Sequence, residues 1–355
     1  MREVTEFNSH ALIDDLNYIL IQTKDFWEDL RGKRLFITGG TGFFGSWLLE
    51  SFAWANEKLN LNASVLVLTR NADDFKKRMP HLADNPAIKF HIGDIRHFDF
   101  PEGEFSHIIH AAATSAVATF NKEDPLVKFE TIVEGTRRVL DFAVHCHAKK
   151  VLLTSSGAVY GKQPSEMTQV SEDYLGAPDS TDINSAWGVS KRSAEFIGVY
   201  YAKKYNIEIK IVRCFSFVGP YLPLDIHYAV GNFIRDALTG GPIMINGDGT
   251  PHRSYLYAAD LMIWLWIILI KGESCRIYNV GSSDDITIAD LAEAVADNFP
   301  GKIEVKIARP LVSKSPPERY VPSTVRAEKE LGLKQIISLK DAIKRTIIYH
   351  QKINK

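Results

Sequence analysis

The stretch Arg34-Leu35-Phe36-Ile37-Thr38-Gly39-Gly40-Thr41-Gly42-Phe43-Phe44-Gly45 decides how this chain folds. Arg34–Thr38 is a short apolar run with β character. It ends in glycines at G-x-x-G-x-x-G spacing, Gly39, Gly42 and Gly45. Beyond them Trp47, Leu48, Leu49, Phe52 and Ala53 fall at helical spacing. A strand that turns on glycines into a helix bends sharply and lets a pyrophosphate approach with no Cβ in the way. The helix start presents free N–H groups and partial positive charge to that anion. A plain tight turn needs fewer glycines. Gly39, Thr41, Gly42, Phe43, Phe44 and Gly45 are therefore candidate cofactor contacts.

The same alternation continues along the chain. Ser64–Leu68, Ile88–His91, His107–His110, Lys150–Thr154 and Ile207–Arg213 read as further strands. Phe129–Cys146 and Gly188–Tyr205 read as long helices. Strands alternating with helices predict an α/β fold, a mostly parallel sheet covered on both faces. Before it, Leu12, Ile13, Leu16, Ile19 and Leu20 lie at helical spacing, so residues 1–32 read as a helical N-terminal extension. Residues 33–217 form the expected dinucleotide-binding domain. From Val218 the rhythm loosens into Gly- and Pro-rich loops, and 218–355 is expected to be a smaller, discontinuous substrate lobe.

The chain has 355 residues, enough for one large domain or two smaller ones. It is 45% hydrophobic and 24% charged, values that argue against disorder. A formal net charge of −1 gives no electrostatic case for nucleic acid or an acidic membrane surface. Cys146, Cys214 and Cys275 are far apart, without metal-ligand spacing, so neither a disulfide framework nor a zinc site is expected. His10, His81, His91 and His97 scatter without ligand spacing and receive no role. Leu261–Ile270 is too short to span a bilayer and reads as a buried helix. Met1–Arg31 has no apolar core of a signal peptide, and a cytoplasmic protein is expected.

The end of the second strand reports on the cofactor. Val67-Leu68-Thr69-Arg70-Asn71 holds no carboxylate for ribose hydroxyls, while Arg70 suits a 2′-phosphate. The cofactor is expected to be NADP or NAD, leaning to NADP. After the third strand, Asp94 and Ile95 are candidates for the adenine side, Asp94 alternatively serving as a turn carboxylate.

With these stretches the chain resembles the extended short-chain dehydrogenase/reductases of the nucleotide-sugar epimerase/dehydratase family, from Lys33 to about Gly332. The resemblance is carried further by His110-Ala111-Ala112-Ala113, Thr154-Ser155-Ser156-Gly157-Ala158-Val159-Tyr160-Gly161 and Arg213-Cys214-Phe215-Ser216-Phe217-Val218-Gly219-Pro220. Asn246-Gly247-Asp248-Gly249-Thr250-Pro251-His252-Arg253-Ser254-Tyr255 carries it as well. It implies a Rossmann-type domain holding NAD(P) and a lobe holding a nucleoside diphosphate sugar. It implies hydride transfer from a sugar hydroxyl, Ala111, Ala112 and Ala113 beside the cofactor, and a homodimer formed through the two long helices.

The family's catalytic set is a Ser/Thr with Tyr-x-x-x-Lys, the tyrosinate taking the sugar hydroxyl proton. Ser156 fits the first position and Lys191 the last, where the lysine also meets the cofactor. The tyrosine position holds Trp187. Indole N–H only donates and is no base. Four readings stand: another base such as Tyr160, His227 or a water on Ser156; binding without turnover; an introduced substitution; or a rearranged site with Trp187 stacking on a ring. Dehydratases of the family carry an acidic pair after the Ser/Thr, and decarboxylating relatives a glutamate at the second of those positions. Here they are Gly157 and Ala158, so a C4 epimerase or 4-keto reductase is expected. Arg253 is the candidate for the diphosphate, with Arg319 assisting, Asn232 seating the nucleotide, and Ser216 where relatives often have Asn.

Overall fold

The computed structural model describes residues 2–113, 123–226, 228–309 and 316–353. In chain order come α1 (Arg2–Thr23), β1 (Arg34–Thr38), α2 (Phe43–Lys58), β2 (Ser64–Thr69), α3 (Asp73–Arg78), α4 (Pro80–Ala83), β3 (Ile88–Ile92) and β4 (His107–His110). Then follow α5 (Pro125–His145), β5 (Lys150–Ser156), α6 (Ala186–Tyr205), β6 (Glu208–Cys214), β7 (Phe217–Val218), α7 (Ala229–Leu238), β8 (Ile243–Ile245), β9 (His252–Ser254) and β10 (Leu256–Tyr257). The chain finishes with α8 (Ala258–Lys271), β11 (Ile277–Val280), β12 (Asp285–Thr287), α9 (Ile288–Ala296), β13 (Val305–Ile307), β14 (Arg319–Tyr320), α10 (Val325–Leu331) and α11 (Leu339–Ile353).

The main sheet is seven-stranded, in the order β11-β6-β5-β4-β1-β2-β3, and every pair is parallel. This is a Rossmann-like α/β fold, as expected. The order reverses between β1 and β4, whose neighbouring ends at Thr38 and His110 open a crevice beyond the carboxyl edge. The inner strands are buried on both faces and are near-continuous apolar runs: Leu35, Phe36 and Ile37 of β1 are fully buried, while edge strand β3 is partly exposed.

Several elements run past the expected bounds for identifiable reasons. β5 extends to Ser156 because β6 offers a partner as far as Cys214. α5 starts at Pro125, where Asp124 caps the helix by accepting from the backbone N–H of Leu126 (2.8 Å). An Asp-Pro pair is a helix-start signal, aspartate capping the free N–H groups and proline tolerated in the first turn. α6 starts at Ala186, led in by a 3-10 turn over Ile183–Ser185.

The apolar run at Leu261–Ile270 lies in α8, thirteen of whose fourteen residues are buried. A helix apolar on every side needs cover on every side. The N-terminal extension supplies part of it. Leu12, Leu16 and Ile19 of α1 are buried in the same core cluster, and Trp27 packs on Trp266 at 4.8 Å between ring centres. Polar ties fix the register: Tyr18 donates to Asp260 Oδ1 (2.7 Å), and Tyr257 to Asp15 Oδ2 (2.6 Å), which also pairs with Arg345. Among the described residues no helix is long and apolar enough to cross a membrane, and none of the His, Cys, Asp and Glu side chains cluster to hold a metal ion. The three cysteines are free, Cys146 and Cys214 buried.

Beyond the main sheet, short strands build a second group on the carboxyl side. β12, β9 and β14 form one small sheet, β13 and β8 another, and β10 and β7 a third. β14 pairs with β9 so that Tyr320 stands beside Arg253 and Arg319 beside His252.

Candidate functional site

The glycine turn is shaped by contacts on one side and openness on the other. Gly39 has φ +72°, and a Cβ there would lie 2.6 Å from the Ala111 carbonyl carbon and 2.7 Å from the Ala112 nitrogen. A Cβ on Gly45 would lie 2.2 Å from the Gly40 carbonyl carbon. These two glycines let the turn press against the end of β4 and let α2 close on the turn. Gly42 differs. It is exposed, and its Cβ would meet only the Gly39 carbonyl oxygen, at 3.6 Å. The fold itself does not demand glycine there, and the bare backbone is open to the outside. Gly42 is also the N-cap of α2, without a side-chain cap and without an acidic residue in the first turn. Free N–H groups beside an open glycine fit a pyrophosphate. The dinucleotide cofactor implied by the fold therefore fits this cradle, with Phe43 and Phe44 supplying N–H groups. Thr41 turns its carbonyl outward to accept from Arg78 (3.0 Å). The Phe44 ring packs edge-on against Phe217 at 5.1 Å.

The end of β4 is tied to the turn by a buried relay. Thr38 Oγ1 is hydrogen-bonded to His110 Nδ1 (2.8 Å) and accepts from the backbone N–H of Ala112 (3.1 Å). His110 Nε2 meets Thr136 Oγ1 (3.1 Å). Burial pushes the His110 imidazole down to about 3, so it stays neutral and acts as a spacer. Ala111, Ala112 and Ala113 are half-buried at the crevice floor.

On the adenine side, Arg70 is exposed at the end of β2. Asp94 is engaged by its own turn: Oδ1 accepts from Arg96 N (3.0 Å) and Arg96 Nε (2.9 Å). The Arg96 side chain holds the Asp94 carboxyl below the usual carboxylate range. Ile95 fills the gap over Gly135 of α5, where a Cβ would lie 2.9 Å from it.

Ser156 and Lys191 converge beyond the carboxyl ends of β5 and β6. Ser156 Oγ accepts from the backbone N–H of Ala158 (3.2 Å) and lies 3.4 Å from the Tyr320 hydroxyl. Lys191 is buried and donates to the Thr154 carbonyl (2.7 Å). Burial drives its ammonium down to about 8, against the opposing pull of Cys214 and Glu195. A lysine so placed is a desolvated positive charge held at the end of β5. Trp187 is half-buried, with its ring centre 5.3 Å from Lys191 Nζ. That is a cation–π distance, so the indole shelters the ammonium and supplies no base.

Tyr160 is removed from the candidate bases. Its hydroxyl donates to Asn279 Oδ1 (2.7 Å), and burial pushes its phenol up to about 12. It belongs to a buried bracket behind the site. Arg213 lies over its ring at 4.5 Å and donates to Glu195 from Nε (2.9 Å) and Nη2 (2.7 Å). Ser155 adds a third donor to the same carboxylate (2.5 Å). Glu195 was not singled out from the sequence. Its signal is position: it follows Lys191 by four residues, on the same inward helix face. His227 lies outside the described residues.

The candidate substrate contacts are more dispersed. Arg253 donates to Glu318 Oε1 (2.8 Å) and to the His252 carbonyl (2.9 Å). Arg319 donates to Asp285 Oδ2 (2.7 Å), which also meets His252 Nδ1 (2.5 Å). Arg319 pairs with His252 and Arg253 with Tyr320, so adjacent positions put the two arginines on opposite faces of the small sheet. Asn232 accepts from Arg235 (3.3 Å) on α7. Ser216 is half-buried beside β7, its carbonyl accepting from the Leu256 N–H (3.1 Å).

A glycine turn at the switch point of a parallel sheet, with a serine and a buried lysine beyond its carboxyl edge, defines a dinucleotide-binding protein of the Rossmann class. The chain belongs to the NAD dependent epimerase/dehydratase family, whose sequence pattern matches residues 35–281. Among its relatives, UDP-glucuronic acid decarboxylase 6 of Arabidopsis thaliana is 31% identical over 314 residues, 87% of this chain and 86% of that one. UDP-glucuronic acid decarboxylase 1 of Danio rerio is 26% identical over 89% of this chain and 72% of that one. Among solved structures, DesIV, a dTDP-glucose 4,6-dehydratase from Streptomyces venezuelae with NAD bound, superposes with a TM-score of 0.75. It is 25% identical and covers 90% of this chain and 97% of its own. A UDP-glucuronic acid 4-epimerase from Bacillus cereus shares the fold, with a TM-score of 0.76 at 23% identity over 90% of this chain and 99% of its own. Members of the family are NAD-dependent enzymes acting on nucleotide sugars. In this chain the turn at Gly39–Gly45 and Lys191 would hold the cofactor, which supplies a hydride acceptor and donor when bound.

Proposed function

We propose that this protein oxidises a ring hydroxyl of a nucleoside diphosphate sugar with NAD(P) and returns the hydride, as a C4 epimerase or 4-keto reductase. One observation carries the choice of reaction. Ser156 ends β5 and Lys191 reaches the same strand end at the Thr154 carbonyl, while Gly157 and Ala158, the next two positions after the serine, bear no carboxylate. Elimination of water needs an acid and a base at neighbouring carbons. Hydride removal and return needs only a proton acceptor at the hydroxyl oxygen. The relatives named for decarboxylation make UDP-sugars the first substrates to try.

Arg253 and Arg319 are the proposed diphosphate contacts, with Asn232 and Ser216 nearer the nucleoside and sugar. The guanidinium fork matches phosphate oxygens, and the diphosphate would compete with Glu318 and Asp285 for it. Arg70 inclines the site towards NADP. A homodimer through α5 and α6 is supported by exposed Leu126, Phe196 and Tyr200 on those helices. The setting this implies is the cytoplasm, in the supply of glycan or polysaccharide precursors.

Proton NMR of the protein with UDP- and dTDP-sugars, given NAD+ and then NADP+, tests the reaction. A new anomeric signal of the 4-epimer without net cofactor reduction supports an epimerase. A decarboxylated or 4-keto-6-deoxy product refutes the choice. Trp187 favours a second reading, a cofactor- and sugar-binding protein without turnover. Binding by line broadening with no product from any sugar would support it.

A further inference from the structure

The family motif's tyrosine is replaced by Trp187, yet a phenol stands at the serine. Tyr320 arrives from β14, 164 residues beyond Ser156 in the chain, and places its oxygen 3.4 Å from Ser156 Oγ. It also meets the Cys214 carbonyl at 3.5 Å and the Ala158 backbone N–H, and Cys214 is the register neighbour of Ser156 across β5 and β6. Both distances are long for O–H···O hydrogen bonds, which centre near ~2.7–2.8 Å. The Tyr160 hydroxyl, by contrast, is committed to Asn279 at 2.7 Å. Catalytic hydrogen bonds are often long before substrate arrives.

Space for the Tyr320 hydroxyl is made by Gly157. A Cβ on that residue would lie 2.8 Å from the Tyr320 oxygen and 2.7 Å from the Phe215 ring. The Phe215 ring holds Tyr320 at 4.7 Å between centres. Trp187, where the family has tyrosine, and Gly157, where its dehydratases have an acidic residue, both bear on the Tyr320 hydroxyl. The first removes a phenol from α6, and the second clears room for a phenol from β14.

We propose that Tyr320 is the acid–base residue of this site, exchanging the substrate hydroxyl proton beside Ser156 in place of the residue lost at Trp187. This rests on the catalytic reading above. In the oxidative direction the substrate O–H bond breaks and its proton joins the Tyr320 phenolate oxygen. The carbinol C–H electron pair leaves as hydride to the oxidised nicotinamide, and the C–O bond becomes a carbonyl. In the return direction Tyr320 gives the proton back to the oxygen as hydride adds to carbon.

Among the described residues the groups facing the phenol are Ser156 on β5, Cys214 on β6, Arg253 on β9 and the Ala158 backbone N–H. In the free protein burial holds the phenol up at about 12, with Ser156 and Arg253 pulling it down. A bound cationic nicotinamide would add a further downward pull.

Two measurements test the proposal. In the first, wild-type and Tyr320→Phe proteins bound to NAD+ are titrated by tyrosinate absorbance in the near ultraviolet, with no substrate present. One tyrosine is expected to ionise below about pH 10 in wild type and to be missing in the variant. Superimposable curves below that pH overturn the proposal. In the second, sugar turnover is followed by NMR. Tyr320→Phe is expected to lose about 100-fold or more in kcat, with KM and NAD+ affinity within about threefold. The double variant Trp187→Tyr/Tyr320→Phe is expected to regain turnover, which excludes misfolding as the cause. A loss below about threefold in Tyr320→Phe overturns the proposal. If wild type turns over no sugar, the catalytic reading fails by itself, and the titration still decides whether Tyr320 ionises.

Discussion

Lys191 is positioned for chemistry at a cost to stability, and replacing it should make the free protein more stable. Its ammonium is buried and has one hydrogen-bond acceptor close by, the Thr154 carbonyl at 2.7 Å. Burial lowers its pKa from 10.5 to about 8, despite Cys214 and Glu195 pulling the other way. A drop of about 2.5 at ~1.36 kcal/mol each means that the charge costs roughly 3 kcal/mol in the folded state. Between about pH 8 and 10.5 the unfolded chain holds a proton that the folded protein has released. The contribution of Lys191 to stability therefore rises with pH across that window, and the full cost applies below it. Lys191→Met removes the charge, keeps most of the volume and forfeits one hydrogen bond worth about 1 kcal/mol. The net expectation at pH 7 is stabilisation by about 2 kcal/mol, shrinking to nothing or reversing near pH 10. Urea unfolding of wild type and variant at matched pH measures it, because the difference between them isolates Lys191 from every other titrating group. A variant less stable than wild type at pH 7, or a gap that does not shrink as pH rises, would refute the reasoning. Activity should vanish in the same variant.

Glu195→Gln should cost about 3–5 kcal/mol in urea unfolding, because Arg213 is buried and loses its counter-charge while a donor faces a donor; a loss under about 1 kcal/mol would mean that water reaches the pair. Gly39→Ala places a Cβ 2.6 Å from backbone at φ +72° and should destabilise by about 2–4 kcal/mol and abolish NAD+ binding by calorimetry. Arg70→Ala should weaken NADP+ binding about fivefold to tenfold and leave NAD+ unchanged, given that Arg70 is exposed and free of a fold-stabilising burden; equal effects on both cofactors would remove its proposed preference.

Local patterning alone made the sheet legible. β1 and β4 occupy their expected residues, because a short apolar run followed by glycine or alanine can only be an inner strand meeting a turn. The glycine turn was legible for the same reason: backbone that must bend and be approached closely tolerates few residue types. Ser156 and Lys191 were singled out by the family resemblance, which the stretches Thr154–Gly161 and Ser185–Lys191 carry locally. Strand and helix ends were less legible. β5 gains Ser155 and Ser156 only because β6 lies alongside to Cys214.

What tertiary structure decided is everything joined across long loops. Nothing in Arg319-Tyr320 announces that the phenol will stand at Ser156, since the contact depends on β14 pairing with β9. Nothing near Tyr160 tells that Asn279 will claim its hydroxyl. Arg253 and Arg319 read as candidate diphosphate contacts in sequence, and only the fold shows them paired with Glu318 and Asp285. The role of α1 as cover for α8 is of the same kind, because hydrophobic periodicity states that a face must be buried and leaves the partner open. The sequence thus determined the strand–turn–helix frame, where dihedral preferences and periodicity act over a few residues. The tertiary structure decided which distant side chains share the site, because those contacts are set by packing and strand register between segments far apart in the chain.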